Sequence, residues 1–516
     1  MLKIAEFLNS LHNKGIRLWL EDGSLLYRAP RGSLSATDAE SLRELKADIL
    51  AFLEHSSLAS NPLPQIERRE RSQVAPLTYS QQYCWNVLRL PNGPSMREVA
   101  TAIRIVGPLN SSLLQLSFAK LSERHEVLQT RIAEIDGSPA QVTDDTLSCE
   151  LELIRFAPSQ TDSCEARAKR FAEDIINQTV NLASDPLCVA YLLQVSSQDH
   201  VLLVAMDHLI ADGDSLHLLL RDLWILYLQG SGRYFEALPK IEAQFSDYAL
   251  WQQQHQLWWT KESGGYWTTR MEGAPRVRFS QRTTEFTCNT PVDALPIAFG
   301  KDQTDNLRAL ARAQKVSLST VALTAYTLAT LTWCNSADIV IRFVTNGRHH
   351  VAIQNTIGFF ASILHLRVRL GIDDSFLTLL SQVETEFLLA HKHDDCMRLS
   401  AQVPRPDFTL NTLFNWRTDA NRIPLPELHT AEGTIHLMPF PLPIPGLANS
   451  PWESEPSIIL SDSSEGISGS ILFRSDYLTR NEMASFIECF ALLTQRITVA
   501  PGCSLSELMK ADRRRK

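Results

Sequence analysis

The residues best suited to chemistry lie in the segment Asp207-His-Leu-Ile-Ala-Asp-Gly213. The apolar run Val201-Leu-Leu-Val-Ala-Met206 precedes it and an apolar helical pattern follows, so the segment falls where a strand turns into a helix. A histidine at such a turn faces a cleft, and a group that titrates near neutrality can take or position a proton. Most lone histidines are ordinary hydrogen-bonded residues, so the local sequence alone leaves the role of His208 open.

Alternating strand-like and helical patterns must position this segment, and they continue from Leu77 over most of the chain. The runs 101–106 and 201–206 predict strands, and the runs 113–121 and 216–228 predict helices. With 516 residues the chain is too long for one ordinary core. The pattern therefore predicts an α/β fold of two-domain size.

Residues 1–56 have the pattern of a small separate module. Apolar residues recur at helical spacing from Ile4 and again from Leu42, and two short apolar runs flank Glu21-Asp-Gly-Ser24. Apolar runs around Asp-Gly predict a β-hairpin, so we expect a helix–hairpin–helix module. Residues 57–75 are poor in large apolar side chains and predict a linker.

Composition excludes several classes of protein. The net charge of −9 argues against a general nucleic-acid binder, which needs a basic face. The nine cysteines contain no CxxC pair, so we expect reduced thiols and neither a disulfide framework nor a metal site. No apolar run is long enough to span a bilayer and no signal peptide is evident, so we expect a cytoplasmic protein without membrane contact.

The segment Asp207–Gly213 resembles the HHxxxDG signature of nonribosomal peptide synthetase condensation domains. Other segments resemble further motifs of this family and follow one another in the family's order. They are Pro76-Leu-Thr-Tyr-Ser80-Gln-Gln-Tyr-Cys-Trp85, Arg124-His-Glu-Val-Leu-Gln-Thr-Arg131, Phe245-Ser-Asp-Tyr-Ala-Leu-Trp-Gln252, Tyr266-Trp267, Asn346-Gly-Arg348, Ile357-Gly-Phe-Phe-Ala-Ser-Ile-Leu364 and Leu413-Phe-Asn-Trp416. The resemblance implies two lobes, each like a chloramphenicol acetyltransferase monomer, arranged in a V around a tunnel. We expect the N-lobe over 76–245 and the C-lobe over 246–516.

The resemblance also implies roles for the site residues. His208 would lie at the midpoint of the tunnel, where two reactants are held together, and the backbone N–H of Gly213 would stabilise oxyanion charge. Asp212 would hold the loop through an arginine, for which Arg348 is the candidate, as a structural pair and not a proton relay. No cofactor would be bound, because phosphopantetheine arrives on a partner carrier protein.

The sequence departs from the family pattern at two places. Asp207 replaces the first histidine of the signature, a residue that mainly supports the loop, and a carboxylate there can raise the basicity of its neighbour. Ser362 replaces a usual asparagine, with His365 in place of a usual proline. Ser362 and Asn415 are our candidates for residues that line the tunnel, and the departure at Ser362 and His365 indicates an unusual donor or acceptor.

The N-terminal module resembles β-hairpin docking domains of the tubulysin type, which capture a short linear motif at the C-terminus of an upstream carrier-bearing protein. The physical mode is addition of a strand to the hairpin edge, with charges tuning the choice of partner. Arg17, Arg28 and Arg31 lie on or beside the predicted hairpin and suit an acidic tail. An ordinary solvated hairpin face is the alternative for each arginine.

We find no adenylation signature, no convincing carrier serine and no thioesterase GxSxG. We therefore expect a stand-alone enzyme that receives its acyl chain from another polypeptide. We expect a monomer because the tunnel needs only one chain. Chain release onto an amine or hydroxyl follows as a hypothesis, giving an amide or an ester. The acceptor is either a free small molecule or carrier-bound, a choice that the sequence leaves open.

Rival interpretations attach to the same residues. A degenerate, non-catalytic domain that recruits a tailoring enzyme or carrier protein is the main alternative, and an epimerase is another. The segment Asp212-Gly-Asp-Ser-Leu216 resembles a carrier serine site, but the preceding strand favours Ser215 as a helix cap. The run His391-Lys-His393-Asp-Asp395 fits a solvated loop or helix end better than a metal site, and His349-His350 is a weaker tunnel candidate.

Overall fold

A computed structural model describes most of the chain. The described residues are 17–21, 24–28, 42, 46, 64–71, 74–88, 97–147, 149–156, 162–232, 237–275, 277–280, 292–371, 373–394, 412–417, 427–430, 432–442, 456–463 and 465–510.

The N-terminal hairpin is confirmed. Strand β1 (Arg17–Glu21) pairs antiparallel with β2 (Ser24–Arg28), and the register places Arg17 directly opposite Arg28. Leu42 and Lys46 are helical, in line with the second predicted helix. The first predicted helix, the remainder of the second and Arg31 lie outside the described residues.

The first lobe is built on a six-stranded mixed sheet. The strands are β4 (Val99–Val106), β7 (Leu151–Arg155), β8 (Cys188–Ser196), β9 (Asp199–Met206), β14 (Glu427–His429) and β15 (Thr434–Pro439). They lie in the order β14-β15-β4-β9-β8-β7. A smaller sheet joins β3 (Ala75–Pro76), β6 (Ser138–Thr143) and β5 (Thr130–Ile135) in that order.

The strand before the candidate histidine is buried on both faces, which explains its uninterrupted apolar sequence. Every residue of β9 from His200 to Met206 is buried. Helices of this lobe cover the sheet and start at side-chain caps, such as Asn110 and Asp212. They are α1 (Tyr79–Leu88), α2 (Ser111–Arg124), α3 (Cys164–Ile176), α4 (Gly213–Gly230) and α5 (Phe245–Gln254), with short 3-10 turns at Glu126–Gln129 and Asp145–Leu147.

The second lobe has its own six-stranded sheet. Its strands are β10 (Val292–Ala298), β11 (Asp338–Thr345), β12 (Ser362–Arg369), β13 (Leu413–Arg417), β16 (Ser457–Ser463) and β17 (Gly466–Arg474). They lie in the order β10-β17-β16-β13-β11-β12. Its helices are α6 (Gln256–Met271), α7 (Lys301–Gln314), α8 (Leu318–Cys334), α9 (Phe376–Lys392), α10 (Arg480–Val499) and α11 (Leu505–Lys510), with a 3-10 turn at Val351–Ile353. Helix α8 is the central core helix, buried along nearly its whole length.

The expected boundary at 245/246 implies that the chain divides between the lobes at one point. The structure shows that it does not. Strand β15 pairs antiparallel with β4, so β14 and β15 extend the sheet of the first lobe although they lie far along the chain. Helix α5 spans the expected boundary, and its residues Phe245 and Trp251 pack in the core of the first lobe. The physical reason is the free edge of β4, which the returning segment covers.

Part of the segment expected to be a linker is bound to the first lobe. Ile66 is 5% exposed, and the backbone N–H of Arg69 donates to Oδ1 of Asp247 at 3.0 Å. Nε1 of Trp251 donates to the carbonyl of Pro64 at 2.7 Å. The polar composition of this stretch therefore reflects hydrogen bonding to the lobe surface and not only solvation.

Both lobes combine helices with a mixed sheet, as the α/β prediction requires. Among the described residues no single helix is long and apolar enough to cross a membrane; one pair, α7 and α8, meets the criterion only jointly and is bent by 106°.

Candidate active site

The loop between β9 and α4 carries the candidate histidine and is fixed by its own backbone. The N–H of Asp207 donates to the carbonyl of Leu187 at 2.8 Å. Oδ1 of Asp207 accepts from the N–H of Leu209 at 2.8 Å, and this side chain is buried. Asp207 thus organises the turn around His208 from inside the lobe.

Asp212 connects the loop to the segment between β11 and β12. It caps α4, where its Oδ1 accepts from the backbone N–H of Ser215 at 2.9 Å and from the hydroxyl at 2.7 Å. Its Oδ2 accepts from the N–H groups of Phe360 and Ala361 at 3.0 and 3.1 Å. Nη2 of Arg348 donates to Oδ1 at 3.2 Å. These bonds satisfy both oxygens of a buried carboxylate, as a structural role requires.

Arg348 completes this connection. Its side chain is only 4% exposed, like that of Asp212. Nη1 donates to the carbonyls of Ile353 and Thr356 at 3.1 and 2.6 Å, and the guanidinium lies 4.3 Å from the ring centre of Phe360. The structure brings the two residues of the expected pair together, in a network of backbone partners that makes the pair architectural.

His208 differs from its neighbours because part of its surface is accessible. Its ring packs against Phe359, with ring centres 4.5 Å apart. Burial lowers the pKa of His208, and the positive charge of Arg417 lowers it further, while carbonyl groups of the loop and the Asp212 carboxylate act in the opposite direction. The imidazole is therefore neutral at neutral pH and able to accept a proton.

Gly213 lies at the first turn of α4 and faces open space. It is exposed, and a Cβ placed on it would meet no atom within 4 Å. The first N–H groups of a helix have no partner within the helix and carry the positive end of its dipole. An oxygen that develops negative charge is stabilised at such a position.

Ser362, one of the two tunnel candidates, lies in a cluster that the sequence did not predict. Its hydroxyl donates to Oδ1 of Asp394 at 2.8 Å, and Asp394 also forms an ion pair with His349. Burial raises the pKa of Asp394, but the histidine outweighs it and the net shift is downward. The same pairing overcomes desolvation and raises the pKa of His349.

The expectation of a solvated segment at 391–395 is wrong for Asp394, whose side chain is 6% exposed. Of the two alternatives, loop or helix end, the structure shows the helix end, because α9 ends at Lys392. His391 and His393 make separate contacts, with the carbonyl of Phe387 at 2.8 Å and the hydroxyl of Ser263 at 3.2 Å. No group of three or more potential metal ligands occurs within the part of the chain that the structure describes.

Asn415, the other tunnel candidate, lies on β13 between two residues of the second core. Phe414 is 3% exposed, and Trp416 packs against the same core. Because side chains alternate along a strand, Asn415 and Arg417 face away from that core. Arg417 is exposed and its charge acts on His208, a relation that the sequence analysis missed. The period-two pattern that continues from Asn415 to Arg417 was the available signal.

Two family models match the chain. The condensation domain matches residues 71–510, and the TubC N-terminal docking domain matches residues 4–55. The chain therefore belongs to the condensation-domain family and carries an N-terminal docking domain. Condensation domains form amide or ester bonds in nonribosomal peptide synthesis, and the chain is an acyltransferase of this kind.

Curated relatives support this assignment. Enniatin synthetase of Fusarium oxysporum is 25% identical over 522 residues, which cover 98% of this chain and 16% of that protein. Bacitracin synthase 2 of Bacillus licheniformis is 25% identical over 410 residues, which cover 76% of this chain and 15% of that protein. The chain thus spans less than a fifth of the length of either relative.

Solved structures share the fold. The X-domain in the complex with OxyB from teicoplanin biosynthesis has a TM-score of 0.71 at 17% identity, over 87% of this chain and 98% of that one. The structure that describes condensation-domain-mediated chain release from the enacyloxin polyketide synthase has a TM-score of 0.64 at 21% identity, over 95% of each chain. The fold prediction of two condensation-type lobes is thereby confirmed.

Proposed function

We propose that this chain transfers an acyl group from the thioester of a carrier protein to an amine or hydroxyl, and that the transfer releases the product from the carrier. The observation that carries the proposal is a neutral, partly accessible His208 followed by the open first turn of α4 at Gly213. A base and an oxyanion-stabilising backbone on one short loop are what attack on a thioester requires.

The chemistry follows from these groups. The nucleophile loses its proton to His208 as it bonds to the thioester carbon, and the carbonyl oxygen takes up negative charge beside the N–H of Gly213. The carbon–sulfur bond then breaks and the proton passes to the leaving phosphopantetheine thiol. The products are an amide or ester and a free carrier thiol, so the protein needs no cofactor of its own and the phosphopantetheine comes with the partner.

Chain release is favoured by the likeness to the enacyloxin structure, which extends over 95% of both chains. We propose the same outcome here, with the acceptor arriving from the side of the tunnel opposite the donor. Ser362 and Asn415 belong to the lining of this tunnel in the proposal. The cytoplasmic location and the monomeric state remain predictions.

In this proposal the docking domain binds the carrier protein that delivers the acyl donor. Its β1–β2 hairpin offers strand edges to a short linear motif at the C-terminus of an upstream carrier protein. Arg17, Arg28 and Arg31 attract an acidic motif. Charge reversal of all three to glutamate should weaken binding of an acidic-tailed carrier, whereas Lys46→Glu in the same module should not. Equal binding by both variants would show that these arginines do not dock the partner.

The catalytic test uses a synthetic acyl chain on a carrier with an acidic tail, a panel of amines and alcohols, and intact mass spectrometry of the products. His208→Ala should reduce turnover by about 100- to 10,000-fold, the usual contribution of general base catalysis. His429→Ala, at an exposed histidine on β14, is the matched control and should retain wild-type turnover. Turnover by His208→Ala equal to that of the control would refute the role of His208.

A recruitment domain without activity remains the second candidate, because the teicoplanin X-domain that is similar in fold is described in complex with OxyB. The accessible neutral His208 and the open Gly213 favour catalysis over this candidate. A wild-type chain that shows no turnover with any acceptor, free or carrier-bound, would favour recruitment.

A further inference from the structure

Asp394 joins the two ends of the segment between β11 and β12. It forms an ion pair with His349, which lies shortly after the end of β11. It also accepts at 2.8 Å from the hydroxyl of Ser362, the first residue of β12. We call these three residues the Asp394 clamp. The carboxylate is 6% exposed and the ring of His349 is 40% exposed, so the ion pair is shielded on one side and open to solvent on the other.

The Asp394 clamp shares its points of attachment with the buried carboxylate of the active-site loop. Arg348, which precedes His349, donates to Oδ1 of Asp212 at 3.2 Å. Ala361, which precedes Ser362, donates its N–H to Oδ2 of Asp212 at 3.1 Å. Asp212 in turn caps α4 at the end of the loop that carries the catalytic histidine. A shift at either end of the clamp therefore reaches this loop through a directly adjoining residue.

The carboxylate of the clamp is held by a well-packed part of the second lobe. Asp394 follows the end of α9, and the residue before it, His393, contacts α6. The ring of His393 stacks on Tyr266 with ring centres 4.2 Å apart, and its Nδ1 lies 3.2 Å from the hydroxyl of Ser263. Its carbonyl accepts from Nε1 of Trp267 at 2.6 Å. Asp394 is therefore a fixed point against which the segment is held.

The two carboxylates that hold this segment have different cations. Asp212 pairs with Arg348, whose guanidinium stays charged at all ordinary pH values. Asp394 pairs with His349, and an imidazole titrates near neutrality. Loss of the proton from His349 removes the cation of the clamp and leaves a buried carboxylate without it, which is unfavourable.

We propose that the Asp394 clamp positions the loop that carries His208, and that it does so while His349 is protonated. His349 is then a positioning residue, which acts on the reaction through the segment 346–361 and Asp212 and does not touch the substrate. The catalytic part of this inference rests on the proposed function, and the structural part is independent of it.

The direction of the pH effect follows from the surroundings of His349. Burial alone would lower its pKa, but the Asp394 carboxylate outweighs burial and raises the pKa above the ordinary value of 6.5. The clamp is therefore complete below pH 6.5 and is lost as pH rises through the raised pKa of His349. His208 causes no alkaline decline, because burial lowers its pKa and its proton is already lost at neutral pH.

Other titratable or charged groups face the clamp from neighbouring elements. Burial lowers the pKa of His391 of α9, so this ring is neutral in the same range. Burial raises the pKa of Tyr248 of α5 and the charge of Asp394 raises it further, so its hydroxyl stays protonated there. Arg348 keeps its charge. His349 is therefore the group of this set whose charge changes as pH rises above 6.5.

Hydrogen–deuterium exchange of the full chain at pH 6 tests the clamp without any substrate. The reporters are the N–H groups of Ser215, Phe360 and Ala361, which all donate to Asp212. His349→Gln should raise the exchange rates of these groups by about 10-fold, the lower end of what a hydrogen bond to a charged group contributes.

Two further variants make the exchange measurement specific. His349→Arg keeps a cation beside the carboxylate, and the partly exposed position accommodates the longer side chain, so it should exchange like wild type. His436→Gln is the matched control, because His436 pairs with Glu427 at the surface, where both side chains are 53% exposed. It should also exchange like wild type.

The pH dependence of kcat/KM tests the catalytic part, with a neutral acyl donor on its carrier and an acceptor from the panel of amines and alcohols. Wild type should fall by about 10- to 100-fold between pH 6.5 and pH 9.5, the usual effect of a small misplacement of reacting groups. His349→Arg should remove the decline, His349→Gln should be low at both pH values, and His436→Gln should follow wild type. Titration of an amine acceptor does not imitate the decline, because deprotonation makes an amine more reactive.

The two measurements separate failure of this inference from failure of the proposed function. Equal exchange rates in wild type and His349→Gln would overturn the inference whether or not turnover is seen. Faster exchange in His349→Gln, together with an alkaline decline that His349→Arg retains, would overturn the positioning role in catalysis. Faster exchange in His349→Gln without turnover by wild type on any acceptor would support the clamp and count against the proposed function.

Discussion

Arg348 and Arg417 both act on the loop that carries His208, Arg348 through Asp212 and Arg417 through its charge on the histidine ring. Arg348 is 4% exposed and bonded to a carboxylate and two backbone carbonyls. Arg417 is exposed, and no described carboxylate forms an ion pair with it. The difference separates a buried cation that ties the loop to the segment between β11 and β12 from an exposed cation that acts on the histidine through its charge alone.

The largest expected effect would come from replacing Arg348, the buried arginine of this comparison. Arg348→Ala leaves the Asp212 carboxylate buried without its cation, so we expect the free energy of unfolding to fall by about 3–5 kcal/mol. Urea denaturation followed by tryptophan fluorescence measures the change.

Arg480→Ala is the control for this substitution. Arg480 pairs with Asp293 at the surface, where both side chains are more than a third exposed, and such pairs contribute less than about 1 kcal/mol. Equal denaturation midpoints for the two variants would mean that the Asp212–Arg348 connection does not stabilise the fold.

The next effect concerns the open side of the site. Gly213→Leu introduces a side chain into space that the glycine leaves free, so we expect turnover to fall by about 100-fold with little change in stability. Gly300→Leu is the matched control, because a Cβ there also meets nothing within 4 Å. If both variants kept wild-type turnover, the space at Gly213 would not be substrate space.

A third prediction concerns His365, a histidine that is 5% exposed. Burial, assisted by the charge of Arg342, lowers the pKa of His365 from 6.5 to about 3. The unfolded chain therefore binds a proton at a higher pH than the folded chain does. This contribution to stability is complete above pH 6.5 and is lost at about 1.4 kcal/mol per pH unit as pH falls toward 3.

The measurement is urea denaturation of wild type and His365→Gln at pH 7 and pH 5. Wild type should lose about 2 kcal/mol more than the variant does on this change of pH. His429→Gln, at an exposed position, should follow wild type. If all three proteins lost the same amount, His365 would not be a buried neutral histidine.

The sequence predicted the elements that carry the site because their patterns are local. The run 201–206 predicted β9, which the structure extends to Asp199–Met206, and the run 216–228 predicted α4, which begins at Gly213. The buried strand and the capped helix together place His208 at a turn. The pairing of Asp212 with Arg348 came from the family motif and not from the spacing.

Other features of the structure have no local sequence pattern that would predict them. The pairing of β15 with β4 joins segments more than 300 residues apart, and the returning segment satisfies an edge that no neighbouring sequence reveals. The burial of Asp394 depends on His349 and Ser362, which come from other elements. Arg417 has the sequence pattern of a surface residue, and its charge effect on the pKa of His208 depends on the folded structure.

The smallest expected effect concerns Arg417, the exposed arginine of the comparison, and the pKa of His208. Removing the charge in Arg417→Gln should raise the pKa of His208, because that charge now lowers it. The acid limb of kcat/KM, measured with the uncharged hydroxyl acceptor 3-hydroxybenzamide, should move to higher pH and yet remain below 6.5, since burial is the larger cause and persists. Arg480→Gln should leave the limb in place. An unchanged limb in Arg417→Gln would mean that the charge of Arg417 does not act on the base.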